Sequence, residues 1–185
     1  MKNQILLVLL ALSSLSVVAC GRKAGGMDLD PELTPYVYEF LGESAAHGVD
    51  VDTSDLTVKY VSAEEITYDG DQTKIGSCAR EERSDVLKNG DFRRYTVKLV
   101  RINKTYIDFL KKYNDEPTVK INIKEAVFHE LGHCLLGKKH NNETTTDASG
   151  GIRYASLMAA TSQAQNSPSY VISNWQALVN SMFQK

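Results

Sequence analysis

Apolar positions recur along this chain with two different periods, and the period sorts it into elements. Tyr36, Val37, Phe40, Leu41 and Ala45 fall at helical spacing. Thr34 and Pro35 ahead of them read as N-cap and first helical residue, and Gly48 closes the element. Leu56, Val58 and Tyr60 alternate with polar residues and predict a strand. Asp69-Gly70-Asp71 is turn chemistry, and a second strand is expected over Gln72 to Arg80. Asn89-Gly90 is a hairpin-type turn signal, and Tyr95 to Ile102 is the clearest strand of all. Tyr106, Ile107, Leu110 and Tyr113 predict a short helix that stops before Pro117. A longer helix is expected from Thr118 or Asn122 to Leu136, with Gly137 as its stop. Residues 138–167 are polar and loop-like. Ser167-Pro168 then caps a last helix whose apolar face is Val171, Trp175, Leu178, Val179, Met182 and Phe183. Strands grouped ahead of the long helices predict an α+β domain rather than a doubly wound one.

Composition narrows the function classes. The chain has 185 residues, 42% apolar and 24% charged, which is enough for one globular domain and excludes a disordered or repetitive chain. Its net charge is −2 and its Lys and Arg are scattered, so the basic stripe of a nucleic-acid binder is missing. It is expected to act as a monomer. The first nineteen residues stand apart: Lys2 is followed by an apolar run from Ile5 to Leu12, and no charge appears before Cys20. That length suits an export signal and is short for a bilayer span. Val17-Val18-Ala19-Cys20 resembles the bacterial lipoprotein box. The resemblance implies a signal peptide over residues 1–19, cut ahead of a lipidated Cys20, and a protein anchored in the membrane of the bacterial cell envelope. Gly21 rather than Asp after the Cys implies the outer membrane, on its periplasmic or surface face. Residues 20–31 then form the lipidated Cys and a flexible Gly-containing tether, and residues 32–185 the domain.

Three of the four His residues lie within His129-Glu130-Leu131-Gly132-His133-Cys134-Leu135-Leu136-Gly137-Lys138-Lys139-His140. On a helix, positions four apart share a face, so His129 and His133 can present two imidazoles to one metal ion. Glu130 sits one residue along, close enough to reach metal-bound water without being a ligand. Catalytic zinc sites have three protein ligands and an open position. His140, beyond the turn at Gly137, ranks first as the third ligand, Asp147 second and Glu143 last.

These residues resemble the metzincin clan of zinc metallopeptidases, whose motif is H-E-x-x-H-x-x-G-x-x-H. The clan's Met-turn is matched by Ser156-Leu157-Met158-Ala159, with Met158 eighteen residues after His140. The resemblance implies a small single domain in which a mixed twisted sheet packs on the active-site helix, with a C-terminal helix after the Met-turn. It implies a Zn²⁺ cofactor and a peptide or protein substrate. One departure is plain: Gly137 and His140 follow His133 by four and seven residues, each one more than the clan motif has. A helical residue adds about 100° and 1.5 Å, so the exit turn has to differ. The pattern is also similar to that of short bacterial lipoproteins described as metallopeptidases.

Cys78 and Cys134 admit three readings: a disulfide between strand and helix, a zinc-binding inhibitory thiolate at Cys78, or two buried thiols. The expected activity is peptide-bond hydrolysis by a metal-activated water, with Glu130 as general base and the substrate extended beside the Tyr95–Ile102 strand. The alternative is a non-catalytic zinc-binding envelope lipoprotein acting as a scaffold or binding module.

Overall fold

The computed structural model describes residues 26–66, 74–87, 89–160 and 166–184. The signal segment, Cys20, residues 21–25 of the tether and the Asp69–Asp71 turn lie outside them. The elements run β1 (Asp28–Leu29), α1 (Thr34–Ala46), β2 (Leu56–Val61), α2 (Ala63–Ile66), β3 (Gly76–Val86), β4 (Phe92–Asn103), α3 (Lys104–Tyr113), α4 (Glu116–Leu136), β5 (Thr144–Thr146), β6 (Ile152–Tyr154) and α5 (Pro168–Phe183). The architecture is α+β, with a mixed sheet and a C-terminal helix.

The main sheet has the order β1-β2-β4-β3. β2 runs parallel to β1 and β4, and β3 pairs antiparallel with β4 through the Asn89-Gly90 turn. α4 packs against β3 and β4 and also against α1, α3 and α5. It is therefore buried on most of its circumference, from Val119 to Cys134. The core gathers Val37 and Phe40 of α1, Val58 of β2, Val100 and Ile102 of β4, Val127, Phe128 and Leu131 of α4, and Leu178 and Val179 of α5. Phe128 meets Phe40 edge-on at 5.3 Å and Trp175 at 4.9 Å, tying α4 to both flanking helices.

Several expected boundaries move, each for a local reason. Thr34 is the first helical residue of α1 rather than its cap; its hydroxyl donates to the Asp30 carbonyl at 2.8 Å. β3 runs from Gly76 through the charged residues to Val86, instead of ending at Arg80. Its outer half is exposed on both faces and held by ladder bonds to β4, so apolar alternation does not mark it. α4 starts at Glu116 because the Asp115 side chain accepts the Thr118 N–H at 3.0 Å, and Pro117 is accommodated in the first turn. The loop after α4 contains the β5–β6 hairpin, whose short Thr-rich strands carry no apolar pattern. Asp28–Leu29 pairs with Thr57–Val58, so the sheet draws in residues ahead of 32. Among the described residues no helix is long and apolar enough to cross a membrane.

Candidate metal centre

His129 and His133 sit one turn apart on α4, and each ring is fixed by a backbone carbonyl. The Nδ1 of His129 lies 2.7 Å from the Leu157 oxygen, and the Nδ1 of His133 lies 2.6 Å from the Lys138 oxygen. A carbonyl only accepts, so both Nδ1 atoms carry the hydrogen. In a neutral imidazole the other nitrogen is then a bare lone pair. The two Nε2 atoms face each other at 3.1 Å. Two nitrogens on one tetrahedral zinc, each at about 2.0–2.1 Å, stand about 3.3–3.4 Å apart.

His140 completes the group. Its ring centroid is 5.3 Å from that of His129 and 4.8 Å from that of His133, and one ligand atom from each of the three residues lies within 4.8 Å of the others. Burial pushes the His129 ring down to about 4 and lowers His140 as well, which keeps both in the neutral, ligating form. His129 and His133 are half-buried and His140 is exposed, so the group opens outward on the His140 side.

The added residue of the motif is absorbed where α4 ends. Gly137 takes φ 65°, a left-handed conformation natural to glycine, and the Lys138 N–H returns to the Gly132 carbonyl at 3.1 Å. That reversal aims the Lys138 carbonyl back at His133. Beyond His140, the Asn141 N–H donates to the Met158 carbonyl at 2.9 Å, and Asn142 Oδ1 accepts the Ala160 N–H at 2.9 Å. The Ser156–Ala159 turn is closed by Ser156 Oγ, which accepts the Met158 N–H at 3.1 Å. Met158 is buried against Gly132, where an added Cβ would come within 2.6 Å of its sulfur. The expected turn thus lies directly on the two-histidine stretch of α4, and its Leu157 carbonyl holds His129.

Glu130 stands outside the ligand group. It is 7% exposed, and burial raises its carboxyl to about 7 against a partial offset from Lys74. The second-ranked third ligand, Asp147, is engaged elsewhere. Its carboxylate accepts from Ser149, from the Gly151 N–H and from Arg153, which holds it well below the usual range and closes the β5–β6 turn. Glu143 accepts from Asn141 Nδ2 at 3.3 Å and also lies outside the group. Cys78 and Cys134 form a disulfide with a Cα–Cα distance of 5.5 Å, so neither sulfur is a ligating thiolate.

The strand expected to border a substrate is corrected. β4 pairs with β3 along its length and with β2 from Lys98 to Asn103, so over Lys98–Ile102 both its sides are occupied, and the strands at the sheet's edges are β1 and β3. Sequence reasoning also missed the carbonyls of Leu157 and Lys138, because backbone acceptors leave no trace in residue identity. Comparison with protein-family models, with curated proteins and with solved structures gives no match.

Proposed function

We propose that this chain is a zinc-dependent endopeptidase. The observation that carries the reading is the convergence of three imidazoles, two with their outer nitrogens on carbonyls; Glu130, next along α4 to His129, is a buried carboxyl outside that group. The donor set fits zinc, since imidazole suits that ion, and three ligands rather than four are the mark of a catalytic site. When bound, the ion supplies Lewis acidity that acidifies water and polarises a carbonyl.

The chain's own residues do the rest. The carbonyls of Leu157 and Lys138 keep Nδ1 protonated and Nε2 free in His129 and His133, so neither ring has to reorient to ligate. Glu130 takes the proton from the attacking water as its oxygen bonds to the scissile carbon. As the C–N bond breaks, Glu130 delivers that proton to the leaving nitrogen. The substrate backbone adds to the open edge of β3, which runs beside α4.

Glu130→Gln should retain the metal and lose hydrolysis by about 10²- to 10⁴-fold, measured on a peptide library with chelator controls. Retained activity removes the general-base role. A wild-type protein that binds metal and cuts nothing returns the reading to a binding module.

The reading extends to an exported, lipid-anchored protein, with Cys20 as the acylated residue. The Cys78–Cys134 disulfide supports it, because such bridges persist in oxidising compartments. Intact-mass analysis of detergent-extracted protein should show acyl chains on a chain starting at Cys20. An unmodified amine there, or an uncut chain, contradicts this.

A further inference from the structure

One strand and one helix run side by side past Glu130 with matched steps. β3 turns alternate residues, Gly76, Cys78 and Arg80, toward α4, and α4 answers with Glu130 and Cys134. Two strand residues advance about 6.6 Å and four helical residues about 6 Å, so contacts repeat in step. Cys78 is bonded to Cys134, and Arg80 Nε donates to the Cys134 carbonyl at 3.1 Å. One step back, Gly76 faces Glu130. A Cβ built on Gly76 would lie 2.7 Å from Cγ, 2.9 Å from Oε1 and 3.1 Å from Cδ of Glu130. Those are the three nearest atoms, and all belong to one side chain. Gly76 has no left-handed φ and pairs regularly with Ile102, so its backbone does not require glycine. What a side chain there would meet is Glu130.

We propose that Gly76 is the positioning residue of Glu130: the side chain missing from β3 leaves the slot that holds the carboxyl, and the Cys78–Cys134 bridge keeps slot and carboxyl in register. This rests on the reading of Glu130 as the base and adds what places it. None of the three histidines is held by β3, so metal binding should be indifferent to the slot.

The test uses the full chain in detergent and compares wild type, Gly76→Ala, Glu130→Ala and the double variant. An added methyl at residue 76 has to displace the carboxyl or strain the sheet. Displacement raises carbodiimide labelling of Glu130 several-fold, read by peptide mass spectrometry. Strain lowers the Tm by a few degrees in the wild-type background, and not in Glu130→Ala, where all three opposing atoms are gone. Gly76→Ala should also keep one metal per chain and lower kcat with KM unchanged. The proposal is overturned if Gly76→Ala leaves labelling unchanged and costs the same Tm in both backgrounds. If Gly76→Ala alone does not fold, the double variant must fold; failure of both overturns it too. Absence of hydrolysis in the wild type defeats the base reading separately, while labelling and melting still decide whether Gly76 sets the place of Glu130.

Discussion

At the scale of single residues, the site is a problem in protons. Two Nε2 atoms face each other 3.1 Å apart, with both Nδ1 atoms on carbonyls, so the nitrogens that could ligate one ion are already brought together. The motif was legible because helical spacing of four puts two rings on one face whatever surrounds them. The burial of Glu130 was not legible, since it depends on what β3 lays over it. That burial has a measurable consequence. Glu130 ordinarily titrates near 4.5 and is raised to about 7 in the fold. Between those values the folded state keeps a proton that the unfolded chain has lost. Stability contributed by the neutral carboxyl is therefore lost as pH rises from about 4.5 through 7, and the penalty levels off above that. His129 adds a slope of opposite sign at acid pH, because its folded value is depressed, but it does so equally in a Glu130 variant. Stripped of metal, Glu130→Gln should gain about 2–3 kcal/mol over wild type between pH 5 and pH 8, measured by chemical denaturation. A difference that stays constant with pH contradicts the buried-acid assignment.

At the scale of elements, the outcome depended on which signals were local. The caps at Ser167-Pro168 and Gly137 sit where the sequence put them, because capping is decided by a few neighbouring residues. The extent of β3 and the β5–β6 hairpin escaped, because both are held by cross-strand bonds between polar residues and bury little apolar surface. The bridge between β3 and α4 spans a sequence separation of 56, for which loop-closure entropy gives about 4 kcal/mol. The returning loop matters most. It reaches the site three times, through the Lys138 carbonyl, His140 and the Leu157 carbonyl, and commits Asp147 to a turn on the way. His140→Ala should therefore weaken metal binding by more than the roughly 10- to 100-fold typical of losing an outer partner. Asp147→Ala should leave it almost unchanged, because that carboxylate is held by Ser149, Gly151 and Arg153 and stands outside the ligand group. Competition against a calibrated chelator measures both. The reverse order of effects makes Asp147 the ligand and removes His140.

At the scale of the whole molecule, α4 organises everything else. It is covered by sheet, α1 and α5, so its two ligands and Glu130 are carried by a helix embedded in the core. The α+β class and the C-terminal helix followed from the pattern of the chain. Strand order did not, because which strand lies at the edge is a matter of topology that alternation does not encode. The central claim is that one cation is held by three imidazoles with a position left open. X-ray absorption at the zinc edge tests it most directly on metal-loaded protein. The account predicts one ion per chain, three imidazole ligands at about 2.0–2.1 Å and one further light-atom ligand. A shell with fewer than three imidazoles, or one containing sulfur, contradicts it.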